Sequence, residues 1–169
     1  MTRVDPKTSL RAVVQAPENP LPQSGTERRT SLMQTVLASV RDLDEAALRR
    51  VASLEAGTAF QPKALLALLT YCYAREIYAS SEIEGLMGRD VNFRHLCGQE
   101  FPGPRHLRRF RRDNREILQT CLVAALRFLT GRLVNERTPT GLSENRLLEE
   151  AARRIEKAMF IDSMDLEDW

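Results

Sequence analysis

The sequence predicts an all-α protein, a compact bundle of short and long helices. The first reason is that apolar residues recur at intervals of three and four along most of the chain from residue 31 onward, the spacing of one helix face. The second is composition: hydrophobic residues make up 43% of the chain and aromatic residues only 6%, so that Leu and Ala supply most of the apolar surface. The third is that no convincing alternating β-branched run, internal repeat or glycine-rich phosphate loop is found. The length of 169 residues suits one domain.

The first 28 residues are predicted to be a disordered arm. They hold four of the eight prolines, few large apolar residues and no periodicity. A solvated leader is favoured over contact between the basic residues of this arm and an anionic partner. No signal-peptide block follows the first residues, and no stretch approaches the ~18 apolar residues of a membrane span. We therefore expect a cytoplasmic protein without a membrane partner.

Two amphipathic helices are predicted next. The first begins at Ser31, and the second is capped by Asp44 and ended by Gly57 in the left-handed conformation. The apolar face of the first helix carries Leu32, Met33, Val36, Leu37 and Val40, and that of the second carries Ala47, Leu48, Val51 and Leu54.

A buried central helix is predicted over residues 63–78. It follows Pro62, whose missing N–H costs nothing at a helix start. Apolar residues lie on almost every side of this helix, which is typical of the centre of a domain. Tyr71, Tyr73 and Tyr78 are therefore predicted to be core or boundary residues rather than a platform for stacking bases.

Two short helices follow the central one. Ser81 and Glu84 have the spacing of a capping box, and Gly88 ends the first short helix. Asp90 caps the second, which ends at Gly98. Two short helices joined by a tight turn predict a helix-turn-helix-like unit.

The last third of the chain predicts two further helices. A long one runs from about Arg105 to Leu133, although Asn114 interrupts its apolar series, and the final one begins at Ser143. The tail from Asp162 onward is predicted to be loose. The apolar side of the final helix is assigned Leu147, Leu148, Ala151, Ile155 and Met159.

The predicted organisation has three parts. A disordered proline-rich arm covers residues 1–28, a helical DNA-binding domain covers 29–133, and a C-terminal helix with an acidic tail covers 134–169.

Neither a disulfide framework nor a metal site is indicated. Three cysteines without Cys-x-x-Cys spacing are typical of reduced thiols on helix faces. His95, Cys97 and His106 lack a fourth ligand at a standard zinc spacing, so we expect no metal and no cofactor. Because the sequence also offers no nucleophile–base pair, no enzymatic activity is expected.

Residues 105–115 carry six arginines against one acid, a local charge of about +5. Leu107 and Phe110 are expected to face the core. We then expect Arg108, Arg111, Arg112 and Arg115 near the opposite face, Arg105 in the first turn and Arg109 toward the side. A helix fits the major groove of B-DNA, and arginine pairs with phosphates or guanine edges. Double-stranded DNA is therefore the predicted partner.

Three further residues bear on this prediction. Arg89 and Arg94, from the preceding turn and helix, are predicted to extend the DNA-binding patch. Asn114 either reads adenine or faces the protein.

An internal pairing of these arginines is the main alternative. Cations at a helix start oppose the macrodipole, so an acidic neighbour or a partner has to supply negative charge. Glu82 and Glu84 are candidates. So is the C-terminal segment, because residues 144–169 hold eight acids against four basic residues.

The segment over residues 60–118 resembles the N-terminal domain of bacterial insertion-sequence transposases of the IS5/IS1182 type. The features that carry the resemblance occur in order: Pro62–Leu69, the pair Tyr71-x-Tyr73, Ile77–Glu84, Arg89–Gly98, Pro102, and Arg109-Phe110-Arg111-Arg112. The resemblance implies a helical region that recognises the terminal inverted repeats of the element. In the family, a ribonuclease-H-like domain with three acidic metal ligands follows this region.

The sequence departs from the family in two places. No segment matches the strand that carries the first catalytic Asp, and Asp162, Asp165 and Asp168 have no sheet to hold them, so we expect no catalysis. The family's Pro-Asp-His-Thr-Thr-Ile stretch is replaced by residues 102–107, which lose the Asp-His pair and gain two basic groups. This change favours general DNA affinity over recognition of the native repeats.

The sequence therefore predicts a DNA-binding module of a transposase-like protein, acting at transposon ends without a catalytic domain. The alternative is a helical interaction module that binds no DNA and pairs as a homodimer or with a full-length transposase. A transposase fragment without function is a third possibility.

Overall fold

The computed structural model describes residues 24–54, 57, 59–97, 100–134 and 142–167, and in these it confirms the all-α prediction. Within the described residues there are eight helices and no strand. The helices are α1 Ser24–Arg41, α2 Glu45–Leu54, α3 Pro62–Ala74, α4 Ser80–Met87, α5 Val91–Cys97, α6 Pro104–Asp113, α7 Arg115–Val134 and α8 Glu144–Glu167. None of these helices combines the length and apolarity needed to cross a membrane.

Helix α3 is the centre of the protein, as predicted. All ten residues from Leu65 to Ala74 are buried, and Pro62 occupies the first turn. Helices α1, α3 and α7 each contact the other two, α8 packs on α7, and α5 packs on α3. Tyr71, Tyr73 and Tyr78 lie in the core, which confirms the structural interpretation of these rings.

Helix α3 ends at Ala74, four residues before the predicted end, because a Schellman motif turns the chain there. The N–H of Ile77 donates to the carbonyl of Cys72 at 2.9 Å, and the N–H of Glu76 donates to the carbonyl of Tyr73 at 3.2 Å. Glu76 adopts a φ of 62°, the left-handed conformation that such a motif requires. Arg154 on α8 secures this end by donating to the Tyr73 carbonyl at 2.8 Å.

The predicted caps of α2 and α5 are confirmed. Asp44 Oδ1 accepts a hydrogen bond from the N–H of Ala47 at 2.6 Å, and Asp90 Oδ1 accepts one from the N–H of Asn92 at 2.8 Å. Gly57 has a φ of 85°, as predicted for a residue that turns the chain after α2.

Helix α1 begins at Ser24, so the predicted start at Ser31 is wrong and residues 24–28 belong to a helix rather than to the arm. The last proline of the segment is Pro22, and backbone hydrogen bonding is therefore possible from Ser24 onward. The rest of the predicted arm, residues 1–23, lies outside the described residues.

The predicted long helix is in fact two helices that meet at Asn114, whose φ of −122° is not helical. Both the backbone N–H and the side-chain Nδ2 of Asn114 donate to the carbonyl of Phe110, each at 3.0 Å. The side chain thus competes with the continuing helix and ends α6, while the Asn114 carbonyl accepts the first bond of α7, from Leu118 at 3.0 Å. Asn114 is buried and faces the protein, one of its two predicted placements.

Helix α8 extends to Glu167, so the predicted loose tail is wrong for residues 162–167. Its inner face carries Leu147, Ala151, Ile155, Ala158 and Asp162. Leu148 and Met159, which were assigned to the apolar side, are exposed instead. The predicted apolar side included these two positions in error, because the buried positions of α8 follow one another from Leu147 at intervals of four and three residues.

Candidate nucleic-acid interface

The arginines of α6 divide between two faces of the helix. Leu107 and Phe110 are fully buried, and this fixes which side of α6 meets the core. Positions i, i+3, i+4 and i+7 share one face of a helix. The outer face is formed by Arg105, Arg108, Arg109 and Arg112, which we call the α6 stripe. Three of the four are exposed, and the side chain of Arg108 is 24% exposed.

Arg111 does not belong to the stripe, and the prediction that it faces outward is wrong. Its relative exposure is 3%. Its Nη2 donates to Asp162 Oδ2 at 2.6 Å, and its Nη1 donates to the Tyr73 hydroxyl at 2.9 Å. The inner face of α6 runs through Leu107, Phe110, Arg111 and Asn114, and a charged side chain is tolerated there because Asp162 neutralises it.

Asp162 joins three helices through its carboxylate, although it is only 2% exposed. Besides Arg111 of α6, it accepts hydrogen bonds from Ser80 of α4. The Ser80 N–H donates to Oδ1 at 2.8 Å and the Ser80 hydroxyl donates to Oδ2 at 2.6 Å. Arg108 Nε lies 3.7 Å from the same Oδ2. We call Tyr73, Ser80, Arg108, Arg111 and Asp162 the Asp162 cluster.

The cluster replaces the capping box that Ser81 and Glu84 were predicted to form. Helix α4 begins at Ser80 and has no cap hydrogen bond from its N-cap residue, Ala79. Instead, Asp162 satisfies the first N–H of α4 from across the molecule. The Ser81 hydroxyl donates to Asp165 Oδ2 at 3.1 Å. The predicted box is therefore wrong, because carboxylates of α8 take the place of a local one.

Burial and hydrogen bonding shift the pKa values of two members of the cluster, Tyr73 and Arg111. Burial raises the pKa of the Tyr73 hydroxyl well above its ordinary value, although Arg111 acts in the opposite direction. Burial lowers the pKa of Arg111, but Tyr73 and Asp162 together raise it above its ordinary value. The hydroxyl is therefore neutral and the guanidinium charged.

The other predicted DNA-binding residues have smaller roles in the fold. Arg115 on α7 pairs with Glu156 on α8 at 2.5 Å, and exposed Arg112 pairs with neighbouring Asp113 at 2.9 Å. Exposed Arg94 donates to the Gly88 carbonyl at 2.6 Å, and Arg89 is exposed in the turn between α4 and α5.

The predicted alternative of internal pairing is thus confirmed for Arg108, Arg111 and Arg115, all with acids of α8. Among the residues that the structure describes, no ion pair joins the α6 arginines to Glu82 or Glu84.

A groove of about 980 Å³ runs between α6 and the last turns of α8. Its lining includes the α6 stripe, Arg111, Asp162, His106, Met159 and Ser163. Among the lining residues that the structure describes, there are five arginines and one carboxylate, that of Asp162. Like charges gathered in a cleft concentrate the field there, so the groove is suited to an extended anion.

Of the candidate metal ligands, His106 lines the groove, whereas His95 and Cys97 do not. No group of three His, Cys, Asp or Glu residues there is placed to hold a metal ion, and His95, Cys97 and His106 form no such group. Cys97 lines a second hollow of about 420 Å³, together with Phe60 and Leu96. Burial raises the pKa of the Cys97 thiol to about 11, so the thiol is protonated at neutral pH.

Sequence reasoning missed the roles of Tyr73, Ser80 and Asp162. One signal was present: Asp162 follows the buried positions Ile155 and Ala158 at helical spacing and therefore falls on the inner stripe of α8. Because burying a carboxylate without a partner is unfavourable, a carboxylate on the inner face of α8 indicates a nearby buried cation, and the arginines of α6 are the candidates.

Comparisons of the chain with protein-family models, with curated proteins and with solved structures find no match.

Proposed function

We propose that this chain is a DNA-binding module whose α6 stripe contacts the phosphates of double-stranded DNA. The observation that carries the proposal is the alignment of four arginines on one outer face of α6, opposite buried Leu107 and Phe110. From Arg105 to Arg112 the stripe spans about 10 Å of helix. This length corresponds to about three base-pair steps of ~3.4 Å.

The arrangement of the stripe favours an anionic partner. Arginines three and four residues apart on one helix face repel one another, and those in the first turns also oppose the helix dipole. Within the stripe, Arg108 lies near the carboxylate of Asp162 and Arg112 pairs with that of Asp113. Phosphates would supply further negative charge, with release of counterions from the DNA.

The resemblance to insertion-sequence transposases suggests the ends of a transposon as the target. In this proposal α4, the turn at residues 88–90 and α5 act as the helix-turn-helix-like unit. Exposed Arg89 and Arg94 add phosphate contacts beside it. We assign no catalytic step to this module: it positions DNA and is not itself an enzyme.

The test is the salt dependence of binding to a labelled duplex, measured by fluorescence anisotropy. The variant Arg105→Gln/Arg109→Gln/Arg112→Gln removes three charges from the stripe. Each phosphate contact contributes about 0.9 to the slope of log K against log[salt], so the slope should become shallower by about 3.

A matched control removes three exposed arginines on other helices, Arg49, Arg127 and Arg153. It has the same net charge as the stripe variant and should keep the wild-type slope. Equal losses in the two variants would show that only net charge matters, and the proposal would then fail.

A second function, protein–protein interaction, is favoured by the apolar end of α8. Met159, Phe160 and Met164 are exposed there, Phe160 to 64%. Such a patch suits a homodimer or a complex with a full-length transposase. Light scattering at low and high salt separates the two functions, because salt weakens contacts with DNA and leaves apolar association intact. In the interaction model, Phe160→Ser abolishes the dimer.

A further inference from the structure

The Asp162 cluster has the composition of an anion-binding site. Its donors are the first N–H of α4, the Ser80 hydroxyl and the Arg111 guanidinium, all within 2.8 Å of a carboxylate oxygen. Proteins use helix N-termini, hydroxyls and arginine forks to hold phosphate. Here the bound anion is a side chain of the same molecule.

The cluster also has more donors than the carboxylate satisfies. The Nε atoms of Arg108 and Arg111 are buried and lack a hydrogen-bond partner among the described residues. Arg108 Nε points to the site, because it lies 3.7 Å from Asp162 Oδ2. A buried donor without an acceptor is unfavourable. A phosphate monoester offers three terminal oxygens where a carboxylate offers two, so it can accept the additional bonds.

Apart from Asp162 itself, the described part of the segment that supplies it is only lightly attached. Among its described side chains after Ala158, only Ile161 adds a partly buried apolar contact, whereas Met159, Phe160 and Met164 are exposed. The second polar attachment, from Asp165 to Ser81, is exposed. The ends of helices open at a lower free energy than their centres. The last turns of α8 can therefore detach while Leu147, Ala151, Ile155 and Ala158 keep the rest of the helix in place.

We propose that Ser80, Arg108 and Arg111 form a phosphate-binding site, that Asp162 occupies it as an internal substitute, and that a phosphate group replaces Asp162 when residues 159–165 detach. The site lies at the floor of the groove beside the α6 stripe. Inorganic phosphate presents the terminal oxygens for the additional bonds. A phosphodiester of the nucleic-acid backbone presents two non-bridging oxygens, as many as the carboxylate, and would accept hydrogen bonds from the same donors as Asp162. The inference goes beyond the proposed DNA binding, because a free phosphate ion would bind even if the stripe contacts no DNA.

The test is rescue of Asp162→Ala by inorganic phosphate. Thermal unfolding is followed by circular dichroism in sodium phosphate and in sodium chloride at equal ionic strength and pH 7. A ligand at ten times its Kd should raise the Tm of this variant by about 4 °C beyond the wild-type shift. Phosphate stabilises proteins generally through exclusion from their surface, so wild type and Asp165→Ala measure that background.

Two additions make the result decisive. Adding Arg108→Gln to Asp162→Ala should abolish the rescue while leaving the background shift unchanged. If Asp162→Ala is unfolded in chloride, the gain of helix on addition of phosphate is measured instead. Asp162→Asn, which keeps an acceptor for Ser80, is then used as the second variant. Identical phosphate shifts in Asp162→Ala, Asp165→Ala and wild type would overturn the proposal.

Duplex DNA distinguishes the two sources of phosphate. If the nucleic-acid backbone is the natural occupant, Asp162→Ala should bind duplex more tightly than wild type, with a salt slope steeper by about 0.9. If free phosphate is the occupant, phosphate rescues the variant while its duplex slope equals that of wild type. Rescue without any duplex binding by wild type would refute the proposed function and support this site.

Discussion

Breaking the buried ion pair between Arg111 and Asp162 should be among the most damaging single changes in this protein. In Arg111→Met, the Asp162 carboxylate is left 2% exposed with the Ser80 donors and with Arg108 Nε at 3.7 Å as its closest remaining cation. Removing one partner of a buried ion pair costs about 3–5 kcal/mol. Methionine retains most of the aliphatic stem, so the loss is electrostatic rather than a cavity. We expect the free energy of unfolding to fall by that amount, and Tm by about 10 °C.

The double variant Arg111→Met/Asp162→Asn separates the charge effect from packing. The asparagine carbonyl still accepts from the Ser80 N–H, but no buried charge remains. The double variant should therefore be more stable than Arg111→Met alone, because it lacks the buried carboxylate that the single variant leaves without its closest cation. The coupling energy between the two positions, obtained from urea unfolding of all four proteins, should exceed about 1.5 kcal/mol.

The control for this cycle is Arg105→Met, on the exposed face of the same helix. It should change stability by less than about 0.5 kcal/mol. Additive losses in the double variant, within about 0.5 kcal/mol, would refute the reasoning, since the pair would then contribute nothing beyond two independent side chains.

Two other predictions concern single positions. Glu76→Gly should raise the free energy of unfolding, measured in urea, by about 0.5 kcal/mol. Glycine adopts the φ of 62° without strain, and this gain outweighs the entropy cost of glycine and the loss of the exposed ion pair to Arg154. A decrease in the free energy of unfolding by more than ~1 kcal/mol would show that the ion pair dominates. Alkylation of Cys97 should accelerate about tenfold per pH unit from pH 7 toward its pKa of about 11, because the thiolate is the reactive form, whereas a plateau near pH 8.5 would contradict the effect of burial. Cys72 and Cys121, which are buried, should react only after unfolding.

Local chemistry in the sequence predicted much of the fold. Pro62 at the start of α3, Asp44 and Asp90 as caps, and Gly57 as a turn residue all depend on neighbours within a few positions, and the structure confirms them. The end of α3 was not predictable in this way. Apolar residues continue into Ile77, but the helix stops where Arg154 of α8 binds its last carbonyls.

Contacts between residues far apart in the sequence also decide the arrangement of the candidate interface, and local patterns do not reveal them. Leu107 and Phe110 correctly indicated which side of α6 faces inward. They left open which of the flanking arginines would be buried, because both neighbours of Phe110 are arginine. The deciding contact is with Asp162, 51 residues further along the chain. Interpretation of sequence patterns assumes that charged residues are exposed, but in this ion pair both Arg111 and Asp162 are buried.

The buried pair also gives the α6 stripe its orientation. Successive residues of a helix point about 100° apart, so turning α6 by one position would bury a different arginine and redirect the whole stripe. Only Arg111, as placed, reaches the Asp162 carboxylate and the Tyr73 hydroxyl together. A rotated helix would leave Asp162 buried without its closest cation, which is strongly unfavourable. Together with buried Leu107 and Phe110, the buried arginine thus fixes where Arg105, Arg109 and Arg112 point.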